Sequence, residues 1–219
     1  MNRRIFLNRA AAAAAGLFLP SRGSGRTKHV ILIVNGGARK KDYYENGSIA
    51  RNVRRLASEG FVFEQDHCGQ IASHDAAFAE LLGGKTYPTI RSLYLVPSTM
   101  ERCRPRILVC RDMAHDVGHR SSEAYLSTVK TTDEEVGRVL DWVKSHPDFN
   151  QNTAIVIRPE FGRDDEVNAH GALHHSYGFY YTHRVASIFW GPDINRGVDT
   201  KTVVRASDMA PRIAKILGD

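Results

Sequence analysis

Cysteine is scarce in this 219-residue chain. The three present, Cys68, Cys103 and Cys110, cannot all pair with one another, and none has CxxC spacing. That argues against a disulfide scaffold or a zinc knuckle. Also missing is any apolar run of the roughly 20 residues needed to cross a bilayer, so no integral membrane segment is expected. No basic stripe with interleaved aromatics occurs either. The formal charge is +6, but three of those charges are Arg3, Arg4 and Arg9, and the remaining excess is spread among acids. A nucleic-acid partner is therefore not expected. Gly36-Gly37 lacks the Gly-Lys-Ser/Thr that would make it a P-loop. What remains, 42% hydrophobic and 25% charged residues, is the balance of one globular domain. A chain of this length buries roughly 70% of its unfolded surface and needs no disulfide or metal to fold.

The first 25 residues read as an address. Arg3-Arg4 followed by Ile5-Phe6-Leu7, then an alanine-rich apolar stretch to Leu19 and Pro20, resembles a twin-arginine export signal. Residues 21–26 (SRGSGR) are linker-like in composition. The expected destination is the periplasm or the cell exterior, and residues 26–219 form a single domain.

Within that domain, residues 29–34 (HVILIV), 106–110 (RILVC), 153–157 (TAIVI) and 185–190 (VASIFW) are apolar, largely β-branched runs. They read as strands buried on both faces; residues 61–64 (FVFE) form a further short one. Helical patterns lie between them, at residues 49–60, 74–82, 121–146 and 206–217. Alternating strands and helices predict a three-layer α/β/α sandwich around a mostly parallel sheet. In such sheets ligands bind outside the carboxyl ends of the strands. Those ends carry Asn35; Ser73-His74; Asp112, His115, Asp116 and His119; and Glu160, Phe161, Gly162, Arg163 and Asp164. A histidine cluster, His170, His174, His175 and His183, precedes the last strand. Histidine with carboxylate and hydroxyl groups at neighbouring sheet ends is a ligand set for a divalent metal, zinc first, with manganese or calcium as alternatives. The Tyr177, Phe179, Tyr180 and Tyr181 cluster reads as core edge, and Arg51, Arg54 and Arg55 as a solvated helix face.

The order of these features resembles the alkaline phosphatase superfamily, which includes phosphatases, phosphodiesterases and sulfatases. HVILIVNGGARK, SHDAAFAELLGG, RILVCRDMAHDVGH, TAIVIRPEFGRD, VASIFWGPDINRG and VVRASDMAPRIAKILG match its segments in order, across residues 28–219. The resemblance implies an exported, metal-dependent hydrolase of small-molecule phosphate esters, with sulfate esters second. Ser73 would be the nucleophile, with a one-residue shift onto His74 left open, and Arg163 would assist. One metal subsite would use Asp112, His115 and His175, with His119 and His174 able to substitute. The other would use Asn35, Ser73 and Glu160. Asn35 stands where relatives carry Asp, and Phe161 where they carry a histidine, so a non-catalytic binding protein with a degenerate metal site is the alternative. The Cys-x-Pro/Ala-x-Arg motif of formylglycine sulfatases is not met: Cys103-Arg104-Pro105-Arg106 is followed by Ile107.

Overall fold

The computed structural model describes residues 26–71 and 73–219; residues 1–25, expected from the sequence to be an export signal, lie outside them. Its centre is β1 (His29–Asn35), whose residues Val30 to Val34 are fully buried. On one side β1 pairs in parallel with β4 (Ile107–Asp112), on the other with β5 (Thr153–Ile157). Two further strands, β2 (Phe61–His67) and β3 (Thr89–Ile90), precede β4 in the chain. Three follow β5: β6 (Arg184–Trp190), β7 (Gly197–Asp199) and β8 (Val204–Arg205). The sheet order is β3-β4-β1-β5-β6-β2-β7, with β8 also on β2. Among the described residues only the β5/β6 and β6/β2 pairings are antiparallel, so the sheet is mixed but mostly parallel, as expected.

Helices α1 (Arg51–Glu59), α2 (His74–Leu81), α3 (Val96–Cys103), α4 (Ser122–Ser145), α5 (Tyr180–His183) and α6 (Met209–Ile216) complete the layers. Side chains of β1 alternate between two cores, as the strand's period of two requires. Ile31 and Ile33 pack with Tyr125, Val129, Val136 and Leu140 of α4 and Val53 and Leu56 of α1. Val30, Leu32 and Val34 pack on the opposite face with Leu81 of α2 and Met209, Ile213 and Ile216 of α6. Covering both faces explains why these strands are apolar throughout.

Polar groups lock the helices to one another. Helix α1 has Ala50 at its N-cap and no capping side chain of its own. Asp133 of α4 supplies the carboxylate instead, accepting from the backbone N–H groups of Asn52 (3.0 Å) and Val53 (2.7 Å), which satisfies orphan donors at the positive end of the helix. The approach is close: a Cβ on Gly137 would stand 2.5 Å from the Asn52 side chain. Elsewhere, Arg158 and Asp66 form a fully buried bidentate pair at 3.0 and 3.1 Å.

Two sequence expectations are corrected in part. Trp142 and Trp190 pack against the core, but Tyr177 and Phe179, just before α5, and Tyr180 and Tyr181, in its first turn, are more than half exposed. Arg51 and Arg54 are largely solvated as anticipated, while Arg55 pairs with Asp141 across to α4.

Candidate metal centre

The carboxyl ends of β1, β4 and β5 bring Asn35 and Asp112 side by side as register partners, and the Glu160 N–H donates to the Asn35 carbonyl at 2.9 Å. The N-terminus of α2 points to the same end. Ser73 is its N-cap, with an exposed hydroxyl that accepts from the Ala76 N–H at 3.4 Å. The next residue, His74, turns inward.

His74 is the hub. Its Nδ1 lies 2.5 Å from Glu160 Oε2, so Nδ1 is the nitrogen that donates to the carboxylate and Nε2 is the one available to a ligand bond. Among the described residues, one group of three potential ligands converges: His74, His119 and His175, with ligand atoms within 4.8 Å of one another. Zinc–nitrogen bonds of about 2.0–2.1 Å in a tetrahedral site put ligand nitrogens roughly 3.4 Å apart, so small ring movements would close this set on one ion. Two of its nitrogens, His74 Nε2 and His175 Nδ1, are buried without a hydrogen-bond partner, an unusual cost for polar atoms. Asp116 Oδ1 stands 3.2 Å from His74 Nε2 and 3.3 Å from His119 Nε2. The His74 contact is off the line of a hydrogen bond, so the carboxylate neighbours that nitrogen without saturating it.

The electrostatics favour neutral, ligand-ready imidazoles at two of the three positions. Burial lowers the pKa of His119 to about 4, helped by the positive charge of Arg163 and by His175. Burial also lowers that of His175, with His74 and Arg163 adding to the effect. Behind the ligands, His119 Nδ1 meets His174 Nδ1 at 2.9 Å. Phe161 forms an apolar wall, its ring 4.4 Å from that of His175 and 4.8 Å from that of His74. Gly37 makes room for it: a Cβ there would meet the Phe161 ring at 2.6 Å.

The expected first subsite is assembled differently. Asp112, His115 and His175 do not form a ligand cluster. Asp112 accepts from the Ala114 N–H and the Thr132 hydroxyl, both at 2.9 Å, so its two oxygens shape the β4–α4 connection. His115 is fully buried, with Nδ1 3.3 Å from the Gly36 carbonyl and Nε2 unpartnered. Burial holds its pKa down to about 4. His175 converges instead with His119, one of the two alternatives the sequence leaves open for this subsite, and with His74, which it leaves open only at the nucleophile position.

The expected second subsite does not fit a metal ion. Both oxygens of buried Glu160 are engaged, Oε2 by His74 and Oε1 by Arg111 Nε at 2.7 Å. Asn35 Oδ1 is buried and unpartnered, and Phe161 offers no ligand. Arg163, expected to assist, is engaged in the structure by backbone carbonyls. Its buried guanidinium donates to the carbonyls of Gly37 (2.5 Å), Leu173 (2.6 Å) and His115 (2.7 Å). It ties together the loops that carry the site and, being fully buried, is not presented at the surface. The sequence assigns no role to Arg111 or Asp116. The one signal for Arg111 is a lone charge directly after the apolar run RILVC.

Comparison with solved structures shows that the fold is shared with sulfatases and with an alkaline phosphatase superfamily protein. A 2-O GAG sulfatase superposes with a TM-score of 0.63 at 12% identity, covering 88% of this chain and 71% of that one. The lipoteichoic acid synthase LtaP from Listeria monocytogenes gives 0.66 at 12% identity, over 96% and 78%. A protein in the alkaline phosphatase superfamily from Vibrio parahaemolyticus gives 0.60 at 12% identity, over 100% and 76%. No family model and no curated protein matches the sequence.

Proposed function

We propose that the chain is an exported hydrolase of phosphate esters that works with one divalent ion held by His74, His119 and His175. The observation that carries the reading is the convergence of those three imidazoles, two of them with buried, unpartnered nitrogens. When bound, the ion would supply Lewis acidity, polarising an ester oxygen and lowering the pKa of a nearby nucleophile. The protein's own residues do the rest. Glu160 fixes the His74 tautomer and ring angle, as carboxylates behind metal-binding histidines do. Asp116 offers a carboxylate beside two of the ligands. Ser73 presents an exposed hydroxyl next to His74 at the N-terminus of α2, where helix N–H groups favour developing negative charge. The exposure of Ser73 and Asp116 leaves the site open to a substrate.

Phosphate is favoured over sulfate because the formylglycine motif is absent from the sequence. The test is purified protein loaded with zinc or manganese, assayed on aryl phosphate monoesters, aryl phosphate diesters and aryl sulfates. Phosphate ester turnover that falls at least 100-fold in Ser73→Ala and in His119→Ala supports the reading. Ion binding with no turnover on any ester would support the second reading, a binding protein with a reduced site, which the engagement of Glu160 by Arg111 favours.

A further inference from the structure

The Arg111 side chain sits where the chemistry calls for a cation. Arg111 is the penultimate residue of β4, and its guanidinium touches three groups. Nε donates to Glu160 Oε1 at 2.7 Å, and Nη1 donates to Asp75 Oδ1 at 2.8 Å. The plane also lies over the Phe78 ring, 4.4 Å from its centroid. Glu160 is fully buried and Asp75 is at the solvent edge. A buried carboxylate requires a compensating charge, and two carboxylates around one cation is an arrangement suited to an oxygen-ligated divalent ion. Here a guanidinium provides the charge, held by two ion pairs and a cation–π contact.

We infer that Arg111 substitutes for a second metal ion at Glu160, so that the centre is built to hold one exchangeable ion and one fixed cation. This rests on the one-ion reading given above, which it extends. The same contact explains the geometry of His74: Arg111 draws on one oxygen of Glu160 while the other receives the His74 Nδ1 proton, leaving Nε2 to face His119 and His175. Arg111 is thus a positioning residue for the ion site as well as a stand-in for the missing ion. The arrangement also accounts for Phe161, since a position filled by a guanidinium has no use for a further imidazole.

The experiment is metal stoichiometry on the full-length protein, by elemental analysis and by titration with Mn²⁺ and Zn²⁺, in wild type, Arg111→Gln, Arg111→Ala and Arg111→Lys. Wild type and Arg111→Lys should bind one equivalent. Arg111→Gln or Arg111→Ala should bind two, and adding Glu160→Gln should return the count to one. The same series in a His119→Ala background separates the two readings. There Arg111→Gln should gain one equivalent over its parent, lost again with Glu160→Gln, whether or not the three histidines bind an ion. If neither neutral variant folds alone, refolding rescued by Mn²⁺ and abolished by Glu160→Gln supports the inference. Absence of any added metal equivalent, or of any metal rescue, in both neutral variants would overturn it.

Discussion

His74 Nδ1 and Glu160 Oε2 are 2.5 Å apart, and Glu160 is completely buried. In the proposed ion site the carboxylate acts through the imidazole, and its removal should loosen the site without deleting a ligand. Glu160→Gln is expected to weaken zinc affinity about 10–100-fold, the usual cost of losing the partner behind a metal-bound histidine, while His119→Ala abolishes stoichiometric binding. Competition titration against a chromophoric chelator measures both. Equal losses in the two variants would make Glu160 a ligand.

Arg163 gives a second prediction because its three carbonyl contacts are structural. Arg163→Met should strand the buried carbonyls of Gly37, Leu173 and His115, at about 1–3 kcal/mol for each group left unsatisfied. Urea unfolding should show the loss in the metal-free protein. A variant of unchanged stability and reduced turnover would instead put the guanidinium on the substrate.

The Arg158–Asp66 pair predicts a larger effect on folding, since Arg158 also donates to the Glu160 carbonyl at 3.2 Å. Asp66→Asn leaves a buried guanidinium without its carboxylate, which typically costs about 3–5 kcal/mol. Denaturant melts of the metal-free protein should show that loss, and a melt unchanged from wild type would contradict it.

The pH dependence follows from His115. Its folded pKa, about 4 because of burial, lies below the ordinary value of about 6.5. Between those values the unfolded chain binds the extra proton, so stability is full above about pH 6.5 and declines as pH falls toward 4. His119 and His175 act in the same direction. Denaturation of metal-free protein at pH 7, 6, 5 and 4.5 should show this decline, and His115→Asn should make it shallower. Identical slopes would mean that His115 is not held neutral by the fold.

Much of the fold was legible because β1, β5 and α4 bury what their patterns imply. β1 and β5 are apolar along their length. The α4 stripe of Tyr125, Val129, Val136, Val139, Leu140 and Val143 is buried in the core that also takes Ile31 and Ile33 of β1, as its spacing indicates. Short β3, β7 and β8 have two or three residues each, too few to carry an alternating pattern. The antiparallel direction of β6 depends on the path of the 162–183 loop and has no local signature. At the site, the sheet rule points to the strand ends beside which His74, His119 and His175 converge, but it does not say which side chains turn inward. Ser73 and His74 differ by one residue, and the start of α2 turns one to solvent and the other to Glu160. Asp112 and His115 look like ligands by type, yet the Ala114 N–H and the Thr132 hydroxyl occupy the Asp112 oxygens, and His115 lies beneath the surface.

The most direct measurement is the metal content of full-length protein purified after expression with the Arg3-Arg4 segment intact, compared with His74→Ala, His119→Ala and His175→Ala. The account predicts one divalent ion per chain in wild type and none in each variant. Two ions in wild type, or one ion that survives loss of any of these histidines, would contradict it.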